Sequence, residues 1–149
     1  MRVLGVDFGQ RRVGLAVSDA SATLARPWKT LAAGATPLAS AALVAAAIGE
    51  LRTSDADDLE AIVVGVPRRL NGGETDQTRP ARDFAAALQE ASGLPVHEQD
   101  ERLTSHEADR LLAVRERDWR VRKAKLDAAS AAVILQDYLD DRHQREARQ

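Results

Sequence analysis

The 149-residue chain has no cysteine, which excludes disulfides and thiolate metal sites and is compatible with a reducing cytosol. Aromatic residues make up 3%, so a core has to be assembled from Ala, Val, Leu and Ile. Long apolar runs are missing as well. The longest, Ala41 to Ile48, falls well short of the ~20 residues needed to cross a bilayer. Asp7 interrupts the first apolar run before it can act as the apolar region of a signal peptide. A cytoplasmic protein without membrane association is the expectation. The three histidines, His97, His106 and His143, fall at no metal-ligand spacing and are expected at the surface. No internal repeat is visible.

What is present describes a soluble globular chain, 44% apolar and 30% charged. Its length fits one domain over residues 1–149, with a second core cramped. The net charge of -2 argues against a general nucleic-acid sponge, but the charge is unevenly spread. Between Arg110 and Lys125 stand Arg110, Arg115, Arg117, Arg120, Arg122, Lys123 and Lys125 against Glu116 and Asp118. From Glu50 to Glu60 the balance reverses, with Arg52 the one base among Glu50, Asp55, Asp57, Asp58 and Glu60.

The chain opens with an apolar run, Val3 to Val6, that ends in Asp7 and re-emerges as Val13 to Val17 after a glycine-punctuated turn. This pattern predicts a β-hairpin in which Gly9 and Gly14 suit unusual dihedrals or close approach of another backbone or a phosphate. Thr23 to Leu31 predicts a third strand, with Pro27 placing it at an edge or a bulge. A helix is expected over Pro37 to Leu51, followed by an acidic surface loop. Ala61 to Val66, nearly all apolar, suits a parallel strand buried on both faces. A turn at Asn71-Gly72-Gly73 leads to a helix from Pro80 through Ala91, stopped by Gly93. Leu94 to Gln99 forms a short strand, and the capping box Thr104-Ser105-His106-Glu107 opens a helix through Arg115. A final helix runs from Asp127 to Asp140, with a tail from about residue 141 expected to fray. The order implies an α/β fold, a mixed sheet with helices on both faces.

Carboxylates at the ends of these elements are the candidate chemistry. Asp is depleted in strands and costly to bury alone, so Asp7 is either a metal ligand facing a cleft or a turn residue capping the hairpin. Asp100 and Glu101 end the last strand, and alternation allows at most one of them into a cleft with Asp7. Helical spacing sets Asp127 on the face of Ala131, Ile134, Leu135 and Tyr138, although Asp is also a favoured N-cap. Clustered carboxylates need a cation between them, and Mg²⁺ suits hard oxygen ligands. Two such ions about 3.5–4 Å apart support phosphodiester hydrolysis.

In its motifs the chain resembles the bacterial YqgF family, also called RuvX, whose members are RNase H-like. Asp7, Gly9, Arg12, Gly14, Ala16, Ser18 and Asp19 fit the family's first motif, and Gly65, Pro67 and Gly72 its second. Asp100-Glu101-Arg102-Leu103-Thr104 with Ala108 is similar to the third, and Asp127 with Ala131, Ile134, Leu135, Tyr138 and Leu139 to the last. The departures are local: Gln10, Arg11 and Ser130 differ from the residues usual there. The resemblance implies a five-stranded mixed sheet in the RNase H order and a catalytic, metal-binding triad of Asp7, Glu101 and Asp127 that takes Mg²⁺ or Mn²⁺. Glu101 is preferred to Asp100 on that resemblance alone.

The implied activity is a metal-dependent nuclease, processing the 5′ end of precursor 16S ribosomal RNA or cutting four-way Holliday junctions in DNA recombination. Symmetric junction cutting calls for two sites, most simply a homodimer. Candidate nucleic-acid contacts are Arg11, Arg12, Arg68, Arg69 and the run Arg115, Arg117, Arg120, Arg122, Lys123 and Lys125, with Trp119 able to stack on an unpaired base. A solvated basic surface is the bland reading of the same run. Other classes are a nucleic-acid-binding module without catalysis, and a sugar-kinase-like phosphotransferase, for which the chain has length for one of the two required halves. If the basic run grips phosphates, replacing Arg120 and Arg122 with Ala weakens binding and flattens the plot of log affinity against log salt by roughly 0.7–0.9 per lost contact. An unchanged slope assigns the run to solvated surface.

Overall fold

The computed structural model describes residues 1–54, 58–69, 71–100 and 119–148, of which 119–126 are described by their backbone alone. The elements in order are β1 (Arg2–Phe8), β2 (Arg12–Ser18), β3 (Ala25–Ala32), α1 (Pro37–Ser54), β4 (Leu59–Val66), α2 (Thr78–Ser92), β5 (Val96–Asp100) and α3 (Trp119–Ala147). The helix expected from Thr104 to Arg115 lies outside the described residues.

The strands form one sheet in the order β3-β2-β1-β4-β5. β1, β2 and β3 pair antiparallel, whereas β1, β4 and β5 run parallel. Pro27 sits on edge strand β3 where the β2 register shifts between Leu15 and Ala16, so an edge and an irregularity both accommodate the missing N–H. β4 is central among the parallel strands, and every residue from Ala61 through Val66 is apolar and buried.

Period-two alternation divides the sheet into two faces. Leu4 and Val6, Val13 and Leu15, and Ile62 and Val64 pack with α1 and α2 through Val44, Ile48, Phe84 and Leu88. Phe8 stacks on Phe84 at the end of this layer, ring centroids 4.6 Å apart. On the other face Val3, Ala16, Ala61 and Val63 pack against Ala131, Ile134, Leu135 and Leu139 of α3. Helices therefore cover both faces, as the order of elements implied.

The described structure corrects the last helix at both ends. α3 begins at Trp119, so Asp127 stands about two turns inside the helix and is not its N-cap. It also continues to Ala147, so residues 141–147 are helical where a frayed tail was expected. Arg142 holds this end, reaching Glu60 of β4 at 3.1 Å and Glu146 one turn on at 3.4 Å. Shorter extensions occur at α1, which runs to Ser54, and at α2, which starts at Thr78. Gly93 ends α2 in the left-handed conformation, φ 71°, with its N–H donated to the Gln89 carbonyl.

The β2–β3 connection is held by one carboxylate. Asp19 accepts the N–H of Thr23 at 2.8 Å and of Leu24 at 3.1 Å, and the Ser21 hydroxyl at 2.8 Å. Inside this loop Ala22 takes a left-handed φ of 55°, unusual for a residue with a Cβ, and its side chain is buried beside α3. The backbone hydrogen bonds to Thr23 and Leu24, then the Ser21 hydroxyl, hold the Asp19 carboxyl below its ordinary 3.8. A lowered folded value gives stability that is present above the unfolded value and lost as pH falls through the folded one. In urea titrations the stability difference between wild type and Asp19→Ala is expected to stay level from about pH 7 to about pH 5 and to shrink below about pH 4. A difference independent of pH across that range contradicts the assignment.

Candidate active site

Asp7 lies within β1, opposite Gly14 of β2, rather than in the hairpin turn. Directly opposed residues of an antiparallel pair project to the same face. Gly14 faces α3, because a Cβ there would overlap the carbonyl oxygen of Asp127. Asp7 therefore projects to the α3 face as well. Gly5, two residues earlier in β1, makes a second close approach: a Cβ there would lie 2.7 Å from the Leu135 Cβ and 2.9 Å from the Ala131 carbonyl oxygen. The glycine expected to admit another backbone does so, and it sets Asp127 beside the strand pair that carries Asp7.

The Asp127 carboxylate is 26% exposed and accepts a hydrogen bond from Arg12 Nε at 2.7 Å. Arg12 is the first residue of β2 and shares the face of Gly14 and Ala16. An open pocket of about 360 Å³ lies over this pair, lined by Gly9, Gln10, Arg11, Arg12, Gln77 and Asp127. Asp7 is set back from its lining, half-buried in β1. Gln77 is the residue that sequence reasoning missed. A lone glutamine in a polar loop carries no signal, and it reaches the pocket because α2 starts at Thr78, after a turn in which the Thr78 hydroxyl donates to the Pro67 carbonyl.

Other candidates are placed differently. Asp100 ends β5, where alternation sets it on the face of Val96 and Glu98, the latter paired with Arg82 of α2. His97 and Gln99 are on the α3 face, His97 stacked on Tyr138 with centroids 5.5 Å apart. His97 and His143 are exposed, as expected. Arg68 donates to the Gly72 carbonyl at 3.2 Å and Arg69 to the Glu74 carbonyl at 3.0 Å, so each uses part of its guanidinium to close its own loop. Glu101, Arg115 and Arg117 lie outside the described residues, as does His106. Trp119, Arg120, Arg122, Lys123 and Lys125 fall in the first turns of α3, leading into Asp127.

Asp7 and Asp127 are hard oxygen donors on one face, and the pairing of Asp127 with a guanidinium marks a carboxylate already balanced by positive charge. Hard oxygen donors of this kind suit a divalent cation. Among the described residues no three His, Cys, Asp or Glu converge as a metal site. Among the described residues, too, no helix is long and apolar enough to cross a membrane.

A family model described as RuvX: Holliday junction resolvase matches residues 1–141. A protein of Koribacter versatilis (strain Ellin345) is 40% identical over 141 residues, which cover 95% of this chain and 88% of that one. A protein of Anaeromyxobacter dehalogenans (strain 2CP-C) is 42% identical over 154 aligned positions, covering 95% and 98%. Both carry the name "Putative pre-16S rRNA nuclease". Among solved structures, Thermus thermophilus RuvC is similar at a TM-score of 0.53 and 19% identity, over 97% of each chain. The RuvC complex with a Holliday junction substrate gives the same score and identity over 96% of each. At that identity the likeness is one of fold, and the fold is RNase H-like, as the motifs implied.

The Gly14 approach is open to a direct test. Adding a methyl group where α3 backbone already sits forces the helix off the sheet, so Gly14→Ala is expected to lower unfolding free energy by about 1–3 kcal/mol. Gly49, exposed in α1 with nothing within 4 Å of a Cβ, provides the contrast: Gly49→Ala should raise it by about 0.5–1 kcal/mol. Urea denaturation of both variants reads the difference, and equal effects would deny the close approach.

Proposed function

Because this chain belongs to the RuvX family, we propose that it is a divalent-metal-dependent nuclease that hydrolyses phosphodiester bonds in precursor 16S ribosomal RNA. The observation that carries the reading is the contact at Gly14, which sets Asp7 and Asp127 on one face of the sheet beside an arginine-lined pocket. Asp7 and Asp127 are the proposed ligands, with Glu101 as the third. Asp100 is disfavoured because it belongs to the opposite face of β5. When bound, the cation supplies activation of water and neutralises charge developing on the leaving oxygen.

The chain's own residues would do the rest. Asp7, half-buried in a strand, offers a carboxylate whose backbone is held by pairing with Gly14 of β2, so its position is set before substrate arrives. Arg11 and Arg12 at the pocket offer guanidinium groups to phosphate, which they can grip with two parallel hydrogen bonds. Arg120, Arg122, Lys123 and Lys125, in the first turns of α3, are the proposed further phosphate contacts, with Trp119 the proposed stacking partner for an unpaired base. Ribosomal RNA is favoured by the names of the relatives, whereas the family's description favours a Holliday junction. The second reading requires two sites and hence a homodimer.

The test is cleavage of a ribosomal precursor end, single-stranded RNA and a four-way DNA junction by wild type and Asp7→Asn, with Mg²⁺, with Mn²⁺ and with chelator. Cutting that needs the cation and falls at least about a hundredfold in the variant is expected, since one charged ligand is removed at nearly constant volume. Preference for the junction would replace the RNA reading with the resolvase one. Normal cutting by Asp7→Asn overturns the metal site, and tight binding without cutting of any substrate favours a non-catalytic binding module.

A further inference from the structure

The ion pair at the pocket joins residues 115 positions apart, Arg12 Nε donating to Asp127 Oδ2 at 2.7 Å. Its two ends are held independently. Asp127 is held by α3 packing on Gly14, and Arg12 by the tight hairpin, where a Cβ on Gly9 would come within 2.6 Å of the Arg12 carbonyl oxygen. The side chains are 41% and 26% exposed, enough for solvent and a ligand to compete for them. Among the described residues the two terminal nitrogens of Arg12 make no hydrogen bond, and the residue lines the pocket. Among the described residues its guanidinium thus engages Asp127 through one donor, with its two terminal nitrogens turned to no other partner there.

We propose that Arg12 is a positioning residue that serves as the counter-cation of Asp127 until a divalent cation binds there, and then turns its guanidinium to the phosphate beside the scissile bond. This rests on the nuclease reading above and extends it to the order of events at the site. A carboxylate shared between a guanidinium and a divalent ion cannot satisfy both at full strength, since the two cations repel at such range. Partial exposure makes the arginine pair the weaker of the two and easily exchanged. Releasing Arg12 only when the ion is present couples phosphate binding to metal loading, so substrate is gripped at a site ready to cut it. A plain structural staple between β2 and α3 would leave metal affinity unchanged.

The deciding measurement is direct titration of Mn²⁺, without nucleic acid, into wild type, Arg12→Ala, Arg12→Lys, Asp7→Asn and Asp127→Asn. Arg12→Ala is expected to bind Mn²⁺ about tenfold more tightly, the size of effect a neighbouring like charge commonly has. Arg12→Lys, which keeps the charge, should stay close to wild type, while both arginine variants lose affinity for nucleic acid in the presence of metal. Unchanged or weaker Mn²⁺ binding by a folded Arg12→Ala overturns the role. A second readout needs no variant: on adding Mg²⁺ to wild type, the Arg12 Nε–H resonance should shift and exchange faster with water. A resonance that does not respond, in protein that binds Mg²⁺, overturns the exchange. The two readings fail separately. Wild-type metal binding that Asp7→Asn abolishes, with Arg12→Ala unaffected, removes the arginine role alone. A wild type that binds no metal, or whose binding survives both carboxylate changes, removes the metal site and the arginine role with it.

Discussion

The arrangement depends on the approach of α3 to the sheet at Gly5 and Gly14. These two positions lack the methyl group that would hold a helix at the usual distance, so α3 lies with its backbone against β1 and β2. Close packing of that kind leaves little freedom of position, because any shift either opens a void or drives backbone into backbone. The consequence reaches beyond stability. Asp127 is delivered beside the strand pair holding Asp7, and the carboxylates of two elements more than a hundred residues apart in the chain come to one face of the sheet.

The polar contacts of α3 then set its rotation and length. Gln136 grips the start of β3 with both ends of its amide, accepting from the Ala25 N–H and donating to the Thr23 carbonyl, each at 2.9 Å. Arg142 ties the last turns to Glu60, and this pairing raises its already high pKa. Individually such part-exposed contacts are worth little, on the order of 0–1 kcal/mol. Together with the buried stripe of Ala131, Ile134, Leu135 and Leu139 they leave the helix one way to lie.

The arginines of this chain do not act as a uniform basic coat. Arg68 and Arg69 close the loop after β4, Arg82 joins Glu74 and Glu98, and Arg142 braces the end of α3. Arg11 and Arg12 stand at the pocket, Arg12 committed to Asp127 through one nitrogen. Among the described residues Arg2, Arg12, Arg82 and Arg142 are each paired with a carboxylate, so a net charge near zero is compatible with arginines gathered at the pocket.

Much of the fold was legible in the sequence because its signals are local. The unbroken apolar run of β4, the hairpin around Gly9, Pro27 on an edge strand and Gly93 ending α2 each reflect constraints acting within a few residues. The motifs also marked Asp7 and Asp127, and helical spacing set Asp127 on the buried face of its helix. Local pattern failed where distant elements decide. The start of α3 at Trp119 moved Asp127 from a helix cap to a helix interior, and Glu60 on β4 extended order through a tail that is polar by composition. Gln77 reached the pocket by the path of a loop, and Arg12 found its carboxylate 115 residues away. Which face of an element is apolar is written in its own periodicity. Which residue meets which across the gap depends on how closely two backbones can approach, and here that was decided by glycines on strands that carry no trace of their partner helix.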